Sequence, residues 1–94
     1  MIFVINDLKY DTDKMEKISD KIRKSYTASS FFIENYKYTY DCTLWRSKKG
    51  RWLLTHDSSG ISRGEAIDEI EAKELLKKYD LDAYEKLFEE LEEA

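Results

Sequence analysis

Residues 36–56 read YKYTYDCTLWRSKKGRWLLTH and set the architecture of this 94-residue chain. The first half alternates apolar or aromatic side chains with polar ones, which is the two-residue period of a β-strand with one buried face. This period extends from Phe31 to His56. The central SKKG is a turn sequence in which Gly50 can adopt a positive φ. The stretch therefore predicts an antiparallel β-hairpin.

Two elements are predicted before this hairpin. Residues 1–5, MIFVI, are β-branched and aromatic and precede the turn pair Asn6-Asp7, so a short strand or small hairpin opens the chain. Asp13 and Glu16 have the spacing of a helical capping box. Apolar side chains then recur at helical spacing at Met15, Ile18, Ile22 and Tyr26. A first helix is therefore predicted over residues 14–24.

A loop and two helices are predicted after the hairpin. Residues 57–64, DSSGISRG, have the composition of a surface loop. An imperfect helical stripe follows, and its helix is expected to start near Glu69. Asp82 and Glu85 form a second capping box ahead of a short final helix. The apolar face of that helix would carry Leu87, Phe88 and Leu91.

These elements predict an α+β fold in a single domain of residues 1–94. A small antiparallel sheet, made of the N-terminal strand and the central hairpin, is expected to pack with one N-terminal and one or two C-terminal helices. The chain is 41% hydrophobic and contains no proline, and its single cysteine excludes an intramolecular disulfide. It has no apolar run of the roughly 20 residues that a membrane span needs. A cytoplasmic location is therefore expected.

The charge is divided unevenly along the chain. Up to Arg63 there are 12 basic and 8 acidic residues, and from Gly64 onward there are 4 and 12, which together give the net charge of −4. Such a division can steer a partner of opposite sign. It therefore bears on binding partners more than on the fold.

Candidate catalytic groups are few. Cys42 and His56 lie on neighbouring predicted strands, with Asp57 beside the histidine, and could form a nucleophile and base. A buried cysteine that acts as a small hydrophobe and a histidine at a strand edge explain the pattern more simply. One histidine and one cysteine also leave no recognisable metal or cofactor site. The sequence therefore predicts a non-enzyme without cofactor or metal.

Two stretches could bind a partner. The hairpin interleaves cations with indole rings, at Trp45, Arg46, Lys48, Lys49, Arg51 and Trp52, which is the composition of a nucleic-acid contact. The C-terminal tail carries carboxylates that could bind a positively charged surface of a partner, at Glu85, Glu89, Glu90, Glu92 and Glu93. The simpler explanations are a solvated turn with tryptophans packed on the helices, and an ordinary amphipathic helix with solvated glutamates.

Several short motifs resemble those of a family of small proteins from phages and mobile elements of low-GC Gram-positive bacteria. They are KYDT at residues 9–12, LWRSKKGRWLL at 44–54, EAKELL at 71–76 and YEKLF at 84–88. The chain departs from the family pattern after the hairpin, where a longer Gly-rich insertion is reduced to residues 57–60. The family includes inhibitors of type II CRISPR systems.

The resemblance implies an anti-CRISPR protein in the cytoplasm of a bacterial host cell. Such a protein would bind a CRISPR effector nuclease or its guide-RNA complex and block DNA binding or cleavage, with the acidic tail meeting basic side chains that normally hold nucleic acid. The alternative is a small nucleic-acid-binding module that uses the basic aromatic hairpin. The sequence leaves open the effector, the step inhibited, the oligomeric state and which of the two surfaces binds.

Overall fold

The computed structural model describes residues 1–28 and 36–94. The described elements, in chain order, are β1 (Ile2–Ile5), β2 (Leu8–Asp11), a 3-10 turn (Thr12–Lys14), β3 (Glu16–Ala28), β4 (Tyr36–Arg46), β5 (Trp52–Ser58), β6 (Ile61–Ile67), α1 (Glu69–Tyr79) and α2 (Leu81–Leu87). The predicted α+β class is confirmed. The part of the predicted alternation over residues 31–35 lies outside the described residues.

The strands form two sheets. β3, β4, β5 and β6 make a four-stranded antiparallel sheet in sequence order, and β1 and β2 make a separate two-stranded hairpin. A short strand or small hairpin was expected at the N-terminus, and the structure shows the hairpin, in a sheet of its own and not in that of the central hairpin. Both of its turn residues have positive φ, 52° at Asn6 and 61° at Asp7. Two positive φ values give the turn the twist that two-residue hairpins require.

The central hairpin is confirmed. Its register pairs Thr43 with Thr55 and Arg46 with Trp52. In the turn, Gly50 has a φ of 83°, and the Ser47 hydroxyl oxygen accepts a hydrogen bond from the Arg51 amide at 3.0 Å. The turn chemistry of residues 47–51 thus fixes how the two strands are aligned.

The predicted N-terminal helix over residues 14–24 is wrong, because this segment belongs to β3. Ile22 and Tyr26 are four residues apart, and that spacing places side chains on one face of a strand as well as of a helix. Before Ile22 the strand shifts register against β4, so its alternation does not extend unbroken to Ile18. Pairing with β4 over ten positions favours the strand. The expected capping box is absent, because Asp11 caps the short 3-10 turn by accepting the Asp13 amide at 3.1 Å.

The predicted surface loop over residues 57–64 is also wrong. β5 continues to Ser58, Ser59 and Gly60 form a two-residue turn with φ of 52° and 78°, and β6 begins at Ile61. The polar composition reflects an edge strand and its turn, where side chains bond locally, as the Ser62 hydroxyl does to Asp57 Oδ1 at 2.6 Å. An edge strand needs fewer apolar residues than a central one.

The C-terminal helices partly match the expectation. α1 begins at Glu69 as predicted, with Asp68 as its N-cap. The expected capping by Asp82 is wrong, because Asp80 caps α2 by accepting the Ala83 amide at 3.2 Å. α2 ends at Leu87, so the expected burial of Leu91 on its apolar face is wrong, and that side chain is 41% exposed.

Each face of the large sheet is covered by a different element. One face packs against α1 and α2 and forms the core, which contains Ile22, Cys42, Leu44, Trp52, Leu54, Ala72, Leu76 and Tyr84. On the other face, the Phe3 ring of the N-terminal hairpin lies against Gly64 of β6, and Leu53 is fully buried. No helix within the described ranges is long and apolar enough to cross a membrane.

Candidate functional site

The basic turn of the central hairpin projects into solvent. Lys48, Lys49 and Arg51 are exposed, while Arg46 at the end of β4 is half-buried. The Arg46 guanidinium lies 5.6 Å from the centre of the Trp52 ring, within the range of a cation–π contact. The exposed cations that the sequence singled out are therefore available to a partner.

The two tryptophans of the hairpin do not form one aromatic surface. Trp45 is paired with Leu53 and Trp52 with Arg46, so the register places the two indoles on opposite faces of the sheet. Trp52 is 3% exposed in the core, and its ring centre is 6.2 Å from that of Phe88. Trp45 donates its indole N–H to the Thr55 hydroxyl at 2.9 Å. Trp52 is therefore a core residue packed against the C-terminal helices, which is the simpler of the two explanations given for it above.

The basic turn forms one wall of a groove whose other wall comes from the N-terminal part of the chain. Five cations line this groove: Lys9, Lys14, Lys48, Lys49 and Arg51. Its apolar side chains are Leu8, Tyr10 and Met15, and Asp11 is the only carboxylate that the described residues place in it. We call this feature the basic groove. Sequence reasoning missed Lys9 and Lys14, because neither adjoins the hairpin in the sequence and no motif marks them.

The cations of the basic groove have no acidic partners within the part of the chain that the structure describes. Ion pairs there involve the N-terminal amine and other lysines and arginines, and none brings a carboxylate within 4.0 Å of a groove cation. The groove carboxylate of Asp11 is instead bonded to the amide of Asp13. The groove therefore carries a net positive charge, with five cations and one carboxylate in its lining.

The acidic tail follows α2 and does not form a helical face. Glu85 Oε2 accepts a hydrogen bond from the Leu91 amide at 2.9 Å, so this predicted contact residue bonds the tail to the helix. The other predicted carboxylates, Glu89, Glu90, Glu92 and Glu93, are exposed. Among the described residues, none of these four has a cation within 4.0 Å.

The tertiary fold brings the two predicted binding surfaces near each other. Phe88, which immediately precedes the exposed glutamates, packs beside Trp52, which immediately follows the basic turn. Residues far apart in the sequence thus place negative and positive surfaces on adjoining parts of the molecule.

The thiol of Cys42 and the ring of His56 are each held by packing and by contacts with Tyr40. Cys42 is 1% exposed, its thiol donates to the Tyr40 carbonyl oxygen at 3.4 Å, and burial raises its pKa. The His56 ring stacks on Tyr40 with centroids 4.5 Å apart, and burial together with the Arg63 charge lowers its pKa. No hydrogen bond joins the thiol to the imidazole within the described residues.

A partly exposed ion-pair network joins β3, β6 and α1. Lys24 Nζ lies 3.1 Å from Glu65 and 3.4 Å from Glu71, and the Tyr26 hydroxyl donates to Glu65 at 3.0 Å. Burial opposes the Lys24 charge, but the hydrogen bonds and charges of Glu65 and Glu71 together outweigh it, so the Lys24 pKa is raised. Over residues 1–28 and 36–94, no three histidine, cysteine or acidic side chains are grouped to hold a metal ion.

Comparisons with protein-family models, curated proteins and solved structures found no match to this chain.

Proposed function

We propose that this protein is a non-catalytic inhibitor that binds a CRISPR effector nuclease complex in the bacterial cytoplasm and blocks its DNA binding or cleavage. The observation that carries the proposal is the proximity of two exposed surfaces of opposite charge, the acidic tail and the basic turn, joined through the contact between Phe88 and Trp52. The resemblance of the hairpin and helix motifs to a family with CRISPR inhibitors adds to it.

An effector complex offers complementary chemistry to both surfaces. Its protein channel is lined with lysine and arginine side chains that hold nucleic acid, and these can meet the exposed glutamates of the tail. Its guide RNA presents phosphates that the basic turn can meet. Contacts of both signs also fix the orientation of a partner better than one charged patch does.

The direct test mixes the purified protein with CRISPR effector complexes and measures co-elution on a sizing column and cleavage of target DNA. The proposal expects stoichiometric capture with loss of cleavage by at least one effector. Capture of no effector across type II complexes would overturn it.

Charge-reversed variants identify the contacting surface. If the tail meets the effector, changing Glu89, Glu90, Glu92 and Glu93 to lysine should abolish inhibition, and changing them to glutamine should weaken it. Changing Lys48, Lys49 and Arg51 to glutamate should then have the smaller effect. The reverse ranking would assign binding to the basic turn.

A second candidate function is a small nucleic-acid-binding module, and the basic groove favours it. Five cations without acidic partners assemble there from separate segments of the chain. The net charge of −4 opposes binding to a polyanion, so the groove would have to outweigh the field of the acidic half.

A further inference from the structure

We infer that the basic groove is a binding site for the sugar-phosphate backbone of single-stranded nucleic acid, and that Lys9 and Lys14 are part of it. The inference rests on the second candidate function and names its ligand and its residues. It does not depend on a CRISPR effector.

The two walls of the groove have independent origins. Lys9 lies on β2 and Lys14 at the end of the 3-10 turn, whereas Lys48, Lys49 and Arg51 belong to the turn between β4 and β5. The N-terminal hairpin is held on the sheet by the contact of Phe3 with Gly64. The opposition of the two walls is therefore built into the fold.

Among the described residues, the groove cations are free of internal ion pairs. Lys24, by contrast, is held by Glu65 and Glu71. The five groove cations have no such partners, so a ligand would not have to break existing ion pairs. Phosphates that enter the groove would release counterions and gain charge-assisted hydrogen bonds.

The composition of the groove suits an extended polyanion. Four of its five cations are lysines, which contact phosphates as compact point charges and need no fixed bidentate geometry. The apolar side chains between the walls include Leu8, which is 38% exposed. The unpaired bases of a single strand can cover such a surface, but a duplex keeps its bases stacked inside.

The groove offers no aromatic face for specific stacking. Tyr10 is only 7% exposed, and Trp52 lies in the core. Sequence preference should therefore be weak, because it would depend on backbone contacts and not on base edges.

The test measures fluorescence anisotropy of labelled 12-nucleotide oligo-dT and oligo-U with the isolated full chain over a range of salt concentrations. Five phosphate contacts to a single strand predict a slope of log K against log salt of about −3.5. The decisive variant is Lys9→Glu with Lys14→Glu, compared with Lys48→Glu with Lys49→Glu. Lys21→Glu with Lys37→Glu is the control, because it makes the same charge change at exposed positions outside the groove.

Both groove variants should lose at least tenfold in affinity, and the control should lose less than threefold. A milder pair, Lys9→Gln with Lys14→Gln, should reduce the slope to about −2.1 if three contacts remain, and circular dichroism should show that it is folded. The inference is overturned if the Lys9 and Lys14 variants behave like the control, if duplex DNA binds more tightly, or if only a poly-glutamate peptide binds. Each failure would leave the effector-capture test unaffected.

Discussion

Gly60 and Gly64 occupy the same hairpin but are required for different physical reasons. Gly60 has a φ of 78° and nothing within 4 Å of an added Cβ, so only its backbone conformation favours glycine. At Gly64 the added Cβ would lie 2.8 Å from Phe3 Cγ and Cδ1. The first glycine permits a turn, and the second lets the N-terminal hairpin approach the sheet.

We expect Gly64→Ala to destabilise the protein by about 1–3 kcal/mol, because the Phe3 ring must move. Urea denaturation would measure the change. In a double-mutant cycle the effects of Gly64→Ala and Phe3→Ala should be less than additive. Full additivity would show that the Phe3 ring is not the cause of the destabilisation by Gly64→Ala.

We expect Gly60→Ala to cost about 1 kcal/mol and Gly60→Asn less, because asparagine tolerates positive φ better than alanine does. The same urea titration would measure both. Equal effects of the two substitutions would argue against a backbone origin.

His56 should make folding stability depend on pH. Its pKa is lowered in the folded state by burial and by Arg63, against the smaller opposing effects of Asp57 and Glu65, so the unfolded chain binds the proton first as pH falls below about 6.5. Stability contributed by the neutral ring is therefore present above that pH and lost below it. Denaturation at pH 7.5 and 5.5 should show a smaller difference for His56→Phe, and an unchanged difference would contradict this assignment.

At the scale of elements, Asp80 connects α2 to the sheet. Its Oδ1 accepts the Ala83 amide, and its Oδ2 accepts the hydroxyl of Ser19 at 2.6 Å. Ser19 is 5% exposed and lies where the pairing of β3 with β4 shifts register. One carboxylate thus caps a helix and satisfies a buried hydroxyl at a strand irregularity.

We expect Asp80→Ala to destabilise the protein by about 2–3 kcal/mol, because it removes a cap and leaves the Ser19 hydroxyl without its acceptor. Asp68→Ala is the matched control, because Asp68 caps α1 through the Glu71 amide but is exposed, and it should cost about 1 kcal/mol. Thermal denaturation of both variants would compare them. Equal costs would show that the Ser19 bond adds nothing.

At the scale of the whole molecule, the fold brings the start of the acidic tail close to the basic turn, although the two are far apart in the sequence. The tail of residues 89–94 starts beside Trp52, and six extended residues span about 20 Å, so its carboxylates can approach the basic turn. Removing these residues changes the net charge from −4 to 0, because four glutamates are lost.

We expect deletion of residues 89–94 to raise the affinity for oligo-dT by about fivefold at low salt, since the tail opposes approach of a polyanion. The gain should disappear at high salt, and the four-glutamine variant should reproduce it. A gain that persists at high salt would indicate a steric effect of the tail.

Local patterns were sufficient for the elements whose signals lie within a few residues. The central hairpin follows from alternation and turn residues, the N-terminal hairpin is one of the two forms expected from residues 1–10, and the start of α1 follows from its helical stripe. The basic turn and the acidic tail were also recognisable, because each is contiguous in the sequence.

Long-range pairing settled what local patterns left ambiguous. The spacing of Ile22 and Tyr26 fits a helix and a strand alike, and only the hydrogen bonds to β4 make it a strand. The same holds for the basic groove, because Lys9 and Lys14 meet the turn only once the N-terminal hairpin packs on the sheet. Charge and hairpin formation are properties of short segments, whereas strand partners and surfaces built from distant segments depend on which segments the folded chain brings together.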